Sequence, residues 1–297
     1  MIVTLRSRAY VAVVNEPFMK HTEKFPASPH CHDWFLAIDA GNTRVKFGLF
    51  AVSETLLAVN QLPSCLGFWA IGVGESVPWE TLAAHDTRDF AKTPTAAILT
   101  GSNPRECTRL KSEWPTNWPQ PDLRLDPRQF PLELAVDFPE RVGVDRVLKA
   151  VAANRLRASG DSVLIVDSGT ALTVDAISSQ GVFLGGAICP GLRLGARALH
   201  QYTALLPEVT RRELEERVPA ACGKNTVDAL RSGLFWGHVG MVREVVQRMA
   251  AELGTPSPLF LLTGGSGPLL APHFPEARFE QALSLQGIAA TFWRKNG

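Results

Sequence analysis

Two stretches of this chain repeat one design. Residues 36–47 read LAIDAGNTRVKF and residues 164–175 read LIVDSGTALTVD, so that Asp39 aligns with Asp167 and Gly41 with Gly169, 128 positions further on. In each, a near-continuous apolar run reads as a strand buried on both faces, and the residues after the turn alternate as a half-buried strand does. A short Gly-containing turn between them makes an antiparallel hairpin. A hairpin repeated one domain length apart predicts a duplicated fold. At 297 residues the chain also exceeds the usual single-domain size. The expected division is 34–158 and 159–297, with residues 1–33 as an extension outside the core.

Other segments fill in an α/β pattern. After the Gly-rich stretch LGFWAIGVG, the segments TAAILTGSNP, GVFLGGAICPG and PLFLLTGGSGPLL carry strand signals, the last running into a helix. DRVLKAVAANRLRA reads as a helix stopped by Gly160. Residues 191–206 look helical, residues 225–253 form a long helical stretch broken or bent near its glycines, and the tail forms a last short helix. The Pro-rich stretch WPTNWPQPDLRLDPRQFP is expected to run irregularly along the surface.

Composition excludes several classes. The chain is 45% hydrophobic and 20% charged with a net charge of +1, which leaves no basic face for nucleic acid. No apolar run reaches the roughly 18 residues of a membrane span. Arg6 and Arg8 interrupt the first apolar stretch and no clean cleavage site follows, so residues 1–33 read as an extension with Met19 as an alternative start. Five widely separated cysteines (Cys31, Cys65, Cys107, Cys189, Cys222) point to reduced thiols in the cytoplasm. His30-Cys31-His32 lacks a second ligand pair at zinc spacing.

Three turns suggest phosphate. Backbone amides reach an anion only where side chains are small. Asp-Ala-Gly-Asn-Thr, Asp-Ser-Gly-Thr-Ala and Thr-Gly-Gly-Ser-Gly meet that need, each at the end of an expected buried strand. A single such turn is explained by a hairpin alone; two copies with a third Gly turn favour phosphate. Neither GxxxxGK[ST] nor GxGxxG is present. A carboxylate beside phosphates can hold a cation. Asp145 suits a helix start, whereas Arg146 is a cation where the helix dipole disfavours one. Together they could supply a general base and an anion clamp.

At these residues the chain resembles the type III pantothenate kinases. DAGNTRVKFG is similar to that family's first phosphate motif, GVDR to its signature before the central helix, and VDSGTALTVDAI to its second phosphate motif. GVFLGGAICPGLRLGARALHQYTALLP, GKNTVDALRSGLFWG and FLLTGG follow in the family's order, so the resemblance runs from Trp34 to the C-terminus. It implies a duplicated two-domain actin-like (ribonuclease H-like) α/β fold of mixed sheets with flanking helices, and ATP-dependent phosphorylation of pantothenate to 4'-phosphopantothenate in coenzyme A biosynthesis. It further implies Asp145 as general base and a pantothenate site of Gly143, Val144, Asp145, Arg146 and Thr226. ATP would contact Asp39, Ala40, Gly41, Asn42, Thr43, Arg44, Val45, Lys46 and Thr170. Asp167 would bind a monovalent cation (K⁺ or NH₄⁺), Mg²⁺ would accompany ATP, and the enzyme would be a homodimer. The family's substrate-contacting Tyr is replaced near Val136 and Phe138. The alternatives are a kinase of the same fold for another small alcohol, or a weakly catalytic accessory factor for transcription.

Overall fold

The computed structural model describes residues 33–52, 60–83, 93–255 and 257–296, apart from the side chains of Arg211 and residues 293–296. Residues 1–32, with the His-Cys-His tract, lie outside the described residues. Two five-stranded sheets form. The first takes β1 (Trp34–Ala40), β2 (Arg44–Ala51), β3 (Gly67–Gly72), β4 (Ala96–Thr100) and β5 (Asp122–Arg124), with helices α1 (Trp79–Ala83) and α2 (Pro104–Ser112). Helix α3 (Val144–Leu156) follows. The second sheet takes β6 (Val163–Ser168), β7 (Ala171–Ile177), β8 (Phe183–Pro190), β9 (Leu259–Thr263) and β10 (Arg278–Phe279). Its helices are α4 (Leu192–Gln201), α5 (Arg211–Glu215), α6 (Thr226–Glu252), α7 (Gly267–Leu270) and α8 (Leu283–Asn296).

The duplication extends to the whole topology. The sheet orders are β3-β2-β1-β4-β5 and β10-β9-β6-β7-β8, which are the same order read from opposite edges. In each, the hairpin strands pair antiparallel and the first strand pairs parallel with the fourth. The duplicated actin-like fold expected from the sequence is therefore present, as two mixed sheets with flanking helices.

Four clusters of side chains hold the sheets. Trp34, Leu36 and Ile38 face α1 and α2, while Phe35 and Ala37 face α3 and α8. On the second sheet Val163 and Ile165 face α3, and Val166, Leu172 and Val174 face α6. Helix α3 thus lies between the two cores. Its Val144, Val147 and Leu148 join one and its Ala150, Ala153 and Leu156 the other.

Several sequence expectations change. Strand β2 alternates only at its start and is then buried throughout, because Leu285 of α8 covers its second face at Gly48. Trp114 and Trp118, expected on the surface, are buried beside Trp79 with ring centroids 5.1–5.8 Å apart, since indole area outweighs the Pro-rich backbone. Helix α3 ends at Leu156, before Gly160. Helix α6 runs unbroken for 27 residues through Gly233, Gly237 and Gly240.

The crossing of α3 and α8 depends on a missing side chain. A Cβ at Gly287 would stand 2.0 Å from the Leu148 carbonyl oxygen, so the two helices approach as closely as they do only with glycine there. At Gly237 an added Cβ meets nothing within 4 Å. Gly287→Ala should therefore destabilise the protein by about 1–3 kcal/mol despite alanine's higher helix propensity. Gly237→Ala should be neutral or stabilising by up to about 1 kcal/mol. Urea denaturation of the two variants checks this; equal effects would contradict the close crossing.

Candidate functional site

The site forms where the two hairpins meet at the N-terminal end of α3. The first turn is closed by Gly41 N–H donating to the Arg44 carbonyl (3.0 Å), the second by Gly169 N–H donating to the Ala171 carbonyl (3.1 Å). The tips touch: Thr43 Oγ1 and Thr170 Oγ1 are hydrogen-bonded at 2.6 Å. Ala40 and Val45 turn their side chains into the core, whereas Asn42, Arg44 and Thr170 are exposed.

The two equivalent acids meet different partners. Asp39 is buried; its Oδ2 accepts from Ser284 Oγ on α8 (2.7 Å) and faces Lys46 Nζ at 3.7 Å. Its Oδ1 is buried with no hydrogen-bond partner among the described residues. Asp167 instead pairs with Lys149 of α3, in a short contact between Oδ2 and Nζ. The same ammonium donates to Asp145 Oδ2 at 2.9 Å, an i,i+4 pair within α3. The Lys149 side chain is 3% exposed and Asp145 29%, so the acid reaches the cleft and the lysine lies beneath it.

Electrostatics follow from this row. Burial pushes the Asp145 carboxyl up, but Lys149, helped by Lys46 and Arg146, outweighs it and holds the group below the usual carboxylate range. Burial would lower the Lys149 ammonium; Asp167 and Asp145 raise it instead, so it stays charged. Arg146 donates from Nε (2.8 Å) and Nη2 (2.5 Å) to Asp175 Oδ1 on β7, and its guanidinium lies 5.6 Å from the Phe183 ring centroid. That fully buried acid explains the cation at a helix start. The fork expected to grip a substrate carboxylate is thus occupied by Asp175, and Nη1 has no hydrogen-bond partner among the described residues.

The third Gly turn closes on the second hairpin. Gly264 has φ +94°, and a Cβ there would stand 2.3 Å from Asp167 Oδ1, so the turn lies against the acid as only glycine allows. On the far side, Ser168 Oγ hydrogen-bonds His238 Nε2 of α6 at 3.0 Å. Thr226 opens α6, exposed, and lines an apolar groove of about 330 Å³ with Leu199, Leu206, Leu230 and Leu234. It makes no hydrogen bond with Asp145 or Arg146 among the described residues. Val136 packs in the core under α3, and Phe138 is exposed and covered by Arg141 at 4.7 Å.

At Asp167 the charge that a monovalent cation would bring is already supplied by Lys149. Lys149 takes Oδ2, the neighbouring carbonyls of Ser168 and Gly264 accept amides of Ser266 and Gly267, and no cluster of three metal-ligating acids, cysteines or histidines occurs among the described residues. Asp39 does suit a divalent ion, because its orphaned Oδ1 offers a carboxylate lone pair that a cation or its water completes. Sequence reasoning missed Lys149, Asp175 and His238. Lys149 carried a signal, four residues after Asp145 and set among Leu148, Ala150 and Val151.

A family model described as Type III pantothenate kinase matches residues 35–248. The chain is 37% identical over 250 residues to a type III pantothenate kinase of Gluconobacter oxydans, covering 81% of this chain and 85% of that one. It is 30% identical over 258 residues to that of Persephonella marina, covering 85% and 96%. Among solved structures, a Baf family chain from Campylobacter jejuni superposes with a TM-score of 0.54 at 18% identity, covering 88% and 98%, a likeness of fold.

His238 links α6 to the site and gives a pH dependence. Burial lowers its pKa from 6.5 to about 4. The unfolded chain therefore binds a proton that the folded one refuses, so this stability is present above pH 6.5 and is lost as pH falls towards 4. Between pH 6.5 and 5 the wild type should lose about 1–2 kcal/mol more than His238→Gln. Denaturation at both pH values measures this, and parallel losses would contradict it.

Proposed function

The chain belongs to the type III pantothenate kinase family, and on that premise we propose that it transfers the γ-phosphoryl group of ATP to the primary hydroxyl of pantothenate, the first step of coenzyme A biosynthesis. The observation that carries the roles is the placing of Asp145 beside the two hairpin turns, fixed from below by Lys149. As the alcohol oxygen bonds to the γ-phosphorus, the bond to the β-phosphate oxygen breaks and ADP leaves. The Asp145 carboxylate accepts the hydroxyl proton. Its low pKa keeps it ionised at neutral pH, ready for a proton that is released late in transfer.

ATP lies on residues 39–46 and Thr170, with backbone amides of the small turns facing its phosphates. Asp39 would hold the divalent ion that accompanies ATP, which would offset the negative charge of the phosphates. Gly143, Val144 and Arg146 line the pantothenate side; Val144 does so through its backbone, since its side chain is in the core. Arg146, oriented by Asp175, offers Nη1 to the substrate. The protein's halves, 34–158 and 159–297, clamp these ligands, with α8 crossing back onto the first sheet.

A homodimer is supported by the exposed apolar side chains of Ile188, Leu194, Tyr202 and Leu205 on and after β8 and α4. A second copy docked there would give Thr226, distant from Asp145 in hydrogen-bonding terms, a way to reach a substrate. We place the enzyme in the cytoplasm, on the thiols of Cys107, Cys189 and Cys222, which form no disulfide. The acids and cations assembled around Asp145 favour an active kinase over an accessory factor.

Direct detection of 4'-phosphopantothenate and ADP from MgATP and pantothenate tests the reading. Turnover should appear with pantothenate and be absent with unrelated small alcohols. Asp145→Asn should reduce kcat by about 10²–10⁴-fold in protein that still folds, with a lowered Tm because the buried Lys149 loses one of its two carboxylates. Full activity of Asp145→Asn would remove Asp145 from the base role, and turnover only with another alcohol would reassign the substrate.

A further inference from the structure

The ammonium of Lys149 occupies a place that chemistry elsewhere gives to a bound ion. It lies under the cleft, 3% exposed, between two carboxylates from different elements, Asp145 on α3 and Asp167 at the end of β6. Both carboxylates point one oxygen at it, 2.9 Å away on the Asp145 side. We propose that Lys149 is a tethered monovalent cation, which replaces a diffusible K⁺ or NH₄⁺ and lets phosphoryl transfer proceed without either ion. The proposal rests on the kinase reading above and concerns how that site manages its charge.

Three observations support it. The ammonium, like NH₄⁺ itself, is a compact point charge with tetrahedral donors, so it satisfies the oxygens such an ion would touch. Its stem is fixed: Leu148 and Val151 on either side of it are packed in the core, and Gly287 presses α8 onto the Leu148 carbonyl. A second cation at Asp167 would stand beside the ammonium in a poorly solvated site, where like charges repel strongly. The row also gives Lys149 a positioning role. It holds the carboxylate of Asp145 towards the hydroxyl and offsets Asp167 where the phosphoryl group passes.

The test uses the full chain dialysed into tetramethylammonium chloride, with KCl, NH₄Cl or NaCl replacing that salt at constant ionic strength. Product is followed by ³¹P NMR, so no coupling enzyme adds a cation dependence of its own. Thermal denaturation of the substrate-free protein in the same salts gives a second readout. Wild-type rates should agree within about twofold across the salts, with no Tm shift specific to K⁺ or NH₄⁺. Lys149→Ala should lose about 100-fold in tetramethylammonium and recover about tenfold or more in KCl or NH₄Cl, with a Tm rise specific to those ions.

A wild-type rate or Tm that rises saturably with K⁺ or NH₄⁺ would overturn the proposal, as would a Lys149→Ala variant indifferent to every salt. If that variant does not fold, the wild-type salt series still decides. Absence of pantothenate-dependent product in every salt would instead defeat the kinase reading, and the Tm series would continue to test Lys149.

Discussion

A single buried ammonium organises this molecule. Burying an unpaired charge costs several kcal/mol, so Lys149 can lie beneath the cleft only while Asp145 and Asp167 both face it. Those acids belong to different parts of the chain, one on the helix and one at the end of a strand of the second sheet. The pairing therefore fixes the height and rotation of α3 against β6. Removing either carboxylate leaves the lysine underpaired, and removing the lysine leaves two carboxylates close together with no cation between them. Shape and charge are thus set by one contact.

The duplication supplies the frame, and the departure from symmetry supplies the chemistry. Asp39 and Asp167 occupy equivalent ends of equivalent strands, with Thr100 and Thr263 beside them on the parallel neighbours. Across the hairpin, however, Asp39 is opposite Lys46 and Asp167 is opposite Thr173. One acid draws its cation from its own hairpin and keeps one oxygen without a hydrogen-bond partner among the described residues. The other draws its cation from α3, and the same ammonium holds Asp145, the proposed general base. Two copies of one motif become a carboxylate with an unpartnered oxygen and one paired across elements, and their cross-strand partners differ.

Much of this was legible in the sequence. The 128-residue repeat announced the duplicated sheets, and the Gly turns announced where they would meet, because strand periodicity and turn chemistry are local properties. Asp145 drew notice through the GVDR stretch and its neighbour Arg146, since capping alone would explain an acid at a helix start. What sequence reading missed depends on tertiary pairing. Arg146 is unfavourable at a helix N-terminus until Asp175, 29 residues away on β7, comes to meet it. Trp114 and Trp118 sit among prolines, and only the other indoles explain why they are buried. Lys149 was readable as a surface lysine of an Ala-rich helix; its burial follows from α3 having a sheet on each side.

The most direct measurement is the state of the Lys149 ammonium itself. In a heteronuclear NMR spectrum of protein labelled with ¹⁵N-lysine, a buried, doubly paired ammonium should give an N–H signal protected from solvent exchange at neutral pH. That signal should vanish in Lys149→Met and broaden in Asp167→Asn. A wild-type spectrum without any protected lysine ammonium, or a protected signal that survives in Lys149→Met, would contradict the ionic row on which this account of the fold and its chemistry rests.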